Sequence, residues 1–182
     1  MNTIVTLLAL VAVLATLTAC AGTPEARPTL EAETWEGVDR IHRYGDLYLA
    51  SQPTPEALDL AVERGVRTLV DQRRAEEERG FDEPAAAGER GLTYANPGFG
   101  GPAELTDAIL DDTRALLRDG RRPLLMHCAS ANRTGAVWYA YRVLDEGSDP
   151  AAALEEARAV GLRSDALIEI VEHYLERRRG GE

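Results

Sequence analysis

The segment His127-Cys128-Ala129-Ser130-Ala131-Asn132-Arg133-Thr134-Gly135 carries most of the chemistry legible in this chain. It follows a short apolar run, Pro123-Leu124-Leu125-Met126, of the kind that forms a buried strand. It precedes an apolar-periodic run from Ala136 to Leu144 that reads as a helix. A cysteine at a strand end, a tight loop and an arginine at a helix start together make an anion cradle. The loop amides and the helix N-terminus face a negative charge, and the guanidinium clamps it. Such surroundings favour a thiolate, the nucleophilic form of cysteine.

The elements that must position this loop are legible as well. Ile41–Tyr44 and Leu47–Ala50 read as strands around a Gly45-Asp46 turn, and 66–70, 92–95 and 123–126 as further strands. Thr54-Pro55-Glu56 is a helix start, with Thr as cap and Pro in the first turn, and Gly65 is its stop. Further helices are expected over 84–90, 103–118, 136–144, 150–159 and 164–177. This alternation predicts an α/β fold: one three-layer domain with a central, mostly parallel sheet flanked by helices. Ligands of such sheets sit beyond the carboxyl ends of the strands, which gathers Asp71-Gln72-Arg73-Arg74, Asn96-Pro97-Gly98 and His127-Cys128 at one site.

The net charge of -11 over 182 residues argues against nucleic acid as a partner but leaves room for a local basic pocket. Three histidines and two cysteines offer no metal cluster, and no cofactor motif is present; the glycines of 98–101 lack the spacing of a nucleotide loop. The triplet Arg177-Arg178-Arg179 complements a helix C-terminus, and His173 reads as a packing residue.

Residues 1–19 are apolar, bear no charged side chain and end in Leu17-Thr18-Ala19-Cys20. This resembles a bacterial lipoprotein signal peptide with its lipobox, except that the first residues lack Lys or Arg. The resemblance implies a lipid on Cys20 and a place on the cell envelope facing the periplasm or the exterior. The stretch after Cys20, rich in Pro, Thr, Ala and Glu and without an apolar period, makes 20–34 a flexible tether before a domain over 35–178 and a tail over 179–182. Ala21 after the cysteine leans, by the same resemblance, towards an outer membrane. The other reading of so apolar a stretch is an uncleaved membrane anchor. With Cys20 lipidated, Cys128 has no disulfide partner.

His127-Cys128, Arg133, Thr134 and Gly135 resemble the signature loop of the protein tyrosine and dual-specificity phosphatases. Tyr48-Leu49-Ala50-Ser51-Gln52-Pro53-Thr54, Asp71-Gln72-Arg73 and Gly80-Phe81-Asp82-Glu83 are similar to a bacterial branch of that superfamily, which includes the domains related to the beta-lactamase-hydrolase-like proteins. The resemblance implies hydrolysis of a phosphorylated substrate through a phosphocysteine on Cys128. By the same resemblance the backbone amides of Ala129, Ser130, Ala131, Asn132 and Arg133 and the Arg133 fork would hold the phosphate, Thr134 would hydrogen-bond the sulfur, and His127 would orient the loop. Gln52, Asp71, Arg73 and Asn96 are then candidate substrate-contacting or supporting residues.

Two features depart from that pattern. Four residues rather than five separate Cys128 from Arg133, a spacing shared with rhodanese-type sulfurtransferases, and the usual loop glycine is absent; Asn132 is the residue suited to a positive φ in its place. The stretch 96–102, where a general-acid Asp is expected, has no carboxylate, so the candidates are Asp82, Glu104 and Asp107. Sulfur transfer through a Cys128 persulfide and anion binding without turnover therefore stand beside phosphate ester hydrolysis.

Overall fold

A computed structural model describes residues 27–180; the run 1–19 read as a signal peptide, Cys20, the first part of the expected tether and the last two residues lie outside the described residues. The chain opens on a meander of β1 (Leu30–Trp35), β2 (Val38–Tyr44) and β3 (Leu47–Ala50), followed by α1 (Pro55–Glu63), β4 (Thr68–Asp71), α2 (Glu83–Glu89) and β5 (Thr93–Ala95). A 3-10 turn at Pro102–Glu104 leads to α3 (Asp107–Asp119), β6 (Leu124–His127), α4 (Asn132–Leu144), α5 (Pro150–Val160) and α6 (Asp165–Arg179). The strand order is β1-β2-β3-β6-β4-β5. The ladders β3·β6, β6·β4 and β4·β5 are parallel, and β1·β2 and β2·β3 are antiparallel.

The pleat divides the sheet residues between two cores. Leu124 and Met126 of β6 join Leu49 and Val70 under α3 to α6, while Leu125 joins Ala50 and Leu69 under α1 and α2. Helix α4 lies deepest: every residue from Arg133 to Val143 is buried. The helix is enclosed by the sheet, α3, α5 and α6, so that even its Arg133, Thr134 and Arg142 are buried. Gly135 permits the close approach of α5, since a Cβ added there would lie 2.7 Å from the Ala157 carbonyl oxygen. The cysteine strand and the helix that closes its loop thus sit at the least deformable place in the domain.

Two boundaries differ from the sequence reading. The segment read as tether to residue 34 enters the sheet at Leu30, because Trp35 is buried and the polar side chains between them line an exposed edge. The helix expected over 103–118 is broken: Leu105 is extended, and Thr106 caps α3 by accepting from Ile109 N.

Candidate active site

Cys128 follows the carboxyl end of β6 and is 1% exposed. Parallel neighbours β3 and β4 flank its strand, so the segments after Ala50 and Asp71 emerge beside it. Gln52 N donates to Ala129 O at 3.4 Å, Gln72 N to His127 O at 2.9 Å, and Phe99 N to Gln72 O at 3.1 Å. Asn96 holds this shelf from below, its amide donating to Asp71 O and Arg73 O at 2.7 Å each. The topology thus brings Gln52, Asp71, Arg73, Asn96, His127 and Cys128 into one region, as the switch-point rule anticipates.

The loop turns on Ala131, at φ 62° and ψ 1°, not on Asn132 as the sequence suggested. Asn132 already belongs to α4, and its side chain faces the α5–α6 connection, where Oδ1 accepts from Arg163 N at 2.8 Å and Ser164 N at 3.2 Å. Gly161 leaves Ala131 room beside it: a Cβ added at Gly161 would lie 2.9 Å from that of Ala131. The Arg163 guanidinium lies on the loop from outside, donating to Ser130 Oγ at 2.8 Å and to Ser130 O at 3.3 Å. Nothing in the motif drew attention to Asn132 as a brace, or to Gly161 and Arg163.

Arg133 is 8% exposed; burial works against its charge, while the Glu77 hydrogen bond and the nearness of Cys128 favour it. It does not point into empty space. Nη1 and Nη2 donate to the two Glu77 carboxylate oxygens at 2.6 and 2.9 Å, and Nη1 also meets Phe99 O at 2.5 Å. Glu77 further accepts from Arg73 Nε at 3.3 Å and Arg74 N at 2.9 Å. The Arg133 hydrogen bond is the main cause that holds the Glu77 carboxyl far below the usual range, at about 2. Glu77 also lines a cleft of about 410 Å³ between the segment 75–84, Tyr94 and Asn96. The sequence reading missed it; its only signal was a run of charge directly after a strand's carboxyl end.

Behind the loop lies a buried polar cluster. His127 and Glu83 are both 0% exposed, with Nε2 3.2 Å from Oε1 but poorly aligned, and Gln52 Nε2 donates to the same oxygen at 2.8 Å. Asp71 accepts from Arg73 N at 2.8 Å, Arg79 Nε at 2.7 Å and Tyr94 OH at 3.0 Å. Arg79 reaches Glu83 as well, at 3.3 Å. Donor atoms of Asp71, Glu83 and His127 come within 4.8 Å of one another, a metal-like set that the sequence reading did not foresee. Both carboxylates, however, already face the Arg79 guanidinium, which occupies the position of a cation.

The remaining candidates are placed as follows. Arg73 is neither an open anion site nor a surface pair: it is 7% exposed, donating to Gln52 Oε1 at 2.5 Å as well as to Glu77. The Thr134 hydroxyl donates to Ala50 O at 3.2 Å rather than to the sulfur. Asp82 caps α2, accepting from Ala85 N at 3.0 Å. Asp107 pairs with Arg177 at 2.6 Å. Glu104 accepts from Gly100 N at 2.6 Å and pairs with Arg74 at 3.2 Å. None of the three carboxylates is aimed at Cys128; each satisfies a local donor instead.

No family model and no curated protein matches the chain. Solved structures do. Pseudomonas aeruginosa TpbA is 24% identical over 84% of this chain and 91% of its own, with a TM-score of 0.63. Tk-PTP in its active form is 19% identical over 79% and 99%, at 0.65, and human DUSP28 22% over 75% and 96%, at 0.58. At these identities the likeness is one of fold. The domain, with its mostly parallel sheet flanked by helices, has the architecture of the tyrosine and dual-specificity phosphatases.

Proposed function

We propose that the domain is a cysteine-dependent phosphate monoester hydrolase. The carrying observation is the joint placement of Cys128 and Arg133 on one loop between a buried parallel strand and the N-terminus of α4. The fold likeness supports it, including to a cysteine-to-serine form of TpbA in complex with pTyr. In this reading the Cys128 thiolate attacks phosphorus, the P–O ester bond breaks, and the leaving oxygen takes a proton from water. A second water then attacks the phosphocysteine, the P–S bond breaks, and phosphate leaves with the thiolate restored. Loop amides and Arg133 hold the equatorial oxygens throughout, and Glu77 has to vacate the guanidinium for phosphate to reach it.

The lipid on Cys20 and the envelope location belong to the same proposal; they rest on the lipobox-like run alone. Hydrolysis of para-nitrophenyl phosphate by the chain lacking residues 1–20, abolished by Cys128→Ser and by Arg133→Ala, supports the reading. No turnover above those variants overturns it. The four-residue spacing from Cys128 to Arg133 favours a second reading, sulfur transfer, and thiocyanate formation from thiosulfate and cyanide would then replace phosphate release. Phosphate binding without turnover would instead mark an anion-binding module.

A further inference from the structure

One carboxylate belongs to two sites. Glu77 closes on the Arg133 fork, and the same residue lines the cleft of about 410 Å³ formed by the segment 75–84, Tyr94 and Asn96. The cleft therefore opens beside the position that an incoming phosphate takes on Arg133. Its charge is one-sided: Glu76, Glu77, Glu78, Asp82 and Glu83 line it, against the single cation Arg79.

The fold leaves acceptors in this cleft unanswered. Glu78 and Asp82 make no ion pair among the described residues, Asp82 accepting the Ala85 N–H as a helix cap. Glu83 is 0% exposed, and its Oε2 accepts no hydrogen bond. Arg79 Nε stands 3.3 Å from that oxygen but gives its hydrogen to Asp71. The Asn96 amide nitrogen is taken up by Asp71 O and Arg73 O, which leaves Oδ1 without a donor among the described residues. A buried carboxylate oxygen with no donor carries a desolvation cost that a bound donor removes. Phe81 and Tyr94 add aromatic faces to the same walls.

Phosphate binding sharpens the imbalance. Once phosphate takes both terminal nitrogens of Arg133, Glu77 loses its contacts of 2.6 and 2.9 Å. It keeps Arg73 Nε at 3.3 Å, the Arg74 N–H at 2.9 Å and the more distant Arg74 Nε at 4.0 Å. A cation arriving with the phosphate answers this loss: phosphate replaces Glu77 on Arg133, and the cation replaces Arg133 on Glu77.

We propose that this cleft binds a cationic group of the substrate, making the substrate class a phosphate monoester that also carries an ammonium or guanidinium group. This rests on the hydrolase reading for the phosphate end. An ammonium has three donors and no acceptor, which suits walls of carboxylates and an amide oxygen, and the aromatic faces favour a cation as well. The contact lies away from the bond that breaks, so it acts on substrate capture rather than on the chemical step.

The test uses aryl phosphates with closely similar leaving groups and different distal charge: tyramine O-phosphate, 4-ethylphenyl phosphate and 3-(4-phosphonooxyphenyl)propanoate. Phosphate release by the full chain in non-ionic detergent gives kcat/KM, and calorimetry on Cys128→Ser gives binding without turnover. Wild type is expected to favour the tyramine ester over the ethylphenyl ester about tenfold, with the propanoate lowest. Glu78→Gln combined with Asp82→Asn, which retains a capping side chain, is expected to reduce that preference to about twofold, with the change in KM. Added salt erodes it. Glu172→Gln combined with Glu176→Gln removes the same charge from α6, which packs on the other face of the sheet, and is expected to leave the preference as it was. Equal rates on the three esters, or a preference that the cleft variant leaves intact, overturns the proposal. So does an equal loss in both double variants, which marks the general field of an acidic protein. Absence of phosphate release from every ester by wild type overturns the hydrolase reading instead, and the calorimetric preference then decides on the cleft. Absence of binding as well overturns both.

Discussion

The Glu77 carboxylate closes on both terminal nitrogens of Arg133, at 2.6 and 2.9 Å, in the two-pronged geometry that a phosphate would use. The clamp therefore already holds an internal anion, and any incoming one competes with it. Glu77→Gln removes that competitor's charge. Inorganic phosphate is expected to bind this variant about tenfold more tightly at neutral pH, the equivalent of one charge-assisted contact of about 1.4 kcal/mol. Isothermal calorimetry reads the change, and weaker binding would show instead that Glu77 aims the guanidinium.

The same pair has a pH signature. The Glu77 carboxyl falls from its ordinary 4.5 to about 2, chiefly through the Arg133 hydrogen bond. A carboxyl depressed by folding stabilises the native state above its unfolded value and loses that contribution as pH drops through the folded one. The gap in thermal midpoint between wild type and Glu77→Gln is therefore full above about pH 4.5 and closes towards about pH 2. A gap independent of pH over that window would contradict the ion pair.

Asn132 is predicted to act as a structural brace. Its Oδ1 is the acceptor for two backbone N–H groups of the α5–α6 connection. Asn132→Ala strands both donors and is expected to destabilise the domain by about 1–3 kcal/mol, whereas Asn132→Asp keeps an acceptor and loses less. Gly161→Ala meets a different obstacle, a φ of 144° and the Ala131 methyl at 2.9 Å, and is expected to cost about as much. Urea unfolding of the three variants separates these cases.

Arg79 neutralises two carboxylates in the interior, Asp71 and Glu83, both 0% exposed. Arg79→Met leaves them without a cation, and loss of about 3–5 kcal/mol is expected at neutral pH. Burial already holds Asp71 above the usual carboxylate range. Glu83 is held below that range, its contacts with His127 and Gln52 outweighing burial. Without Arg79 both carboxyls lose a neighbouring positive charge and their folded-state pKa values rise, so the deficit is smallest below the unfolded values near pH 4 and grows as pH rises through them. Denaturant midpoints at pH 4 and pH 7 test this; an equal deficit at both would mean that packing, not charge, had been lost.

If the domain hydrolyses phosphate esters, its rate is expected to depend steeply on the leaving group. Asp82, Glu104 and Asp107 each serve a cap, a backbone amide or an ion pair. With no acid aimed at the ester oxygen, aryl phosphates with acidic leaving groups should be turned over fastest. A series of substituted phenyl phosphates gives the slope, and a flat profile would reveal an acid in action.

The sequence was most readable where one residue type has one structural use. The capped start at Thr54-Pro55 and the turn at Gly45-Asp46 follow from backbone chemistry, and the apolar run before Cys128 could only be an enclosed strand. The gathering of Asp71, Asn96 and His127 followed from where parallel strands end. What stayed hidden depends on partners distant in sequence. Glu77 looks like one of three solvated glutamates until Arg133, 56 residues on, is folded against it. Ala131 carries the strained φ because Gly161 leaves it room, a relation no motif records. Leu30 to Trp35 looks like a linker because an edge strand needs few apolar side chains.

The register of the first two strands fixes an orientation. Leu30 pairs with Tyr44, at the end of the sheet where β6 begins, while Cys128 follows the other end of that strand. The chain upstream of Leu30 thus joins the domain at the pole remote from the reactive sulfur. Whatever reaches Cys128 therefore enters from the side opposite the incoming chain, so a segment fused ahead of Leu30 leaves the mouth of the loop unobstructed.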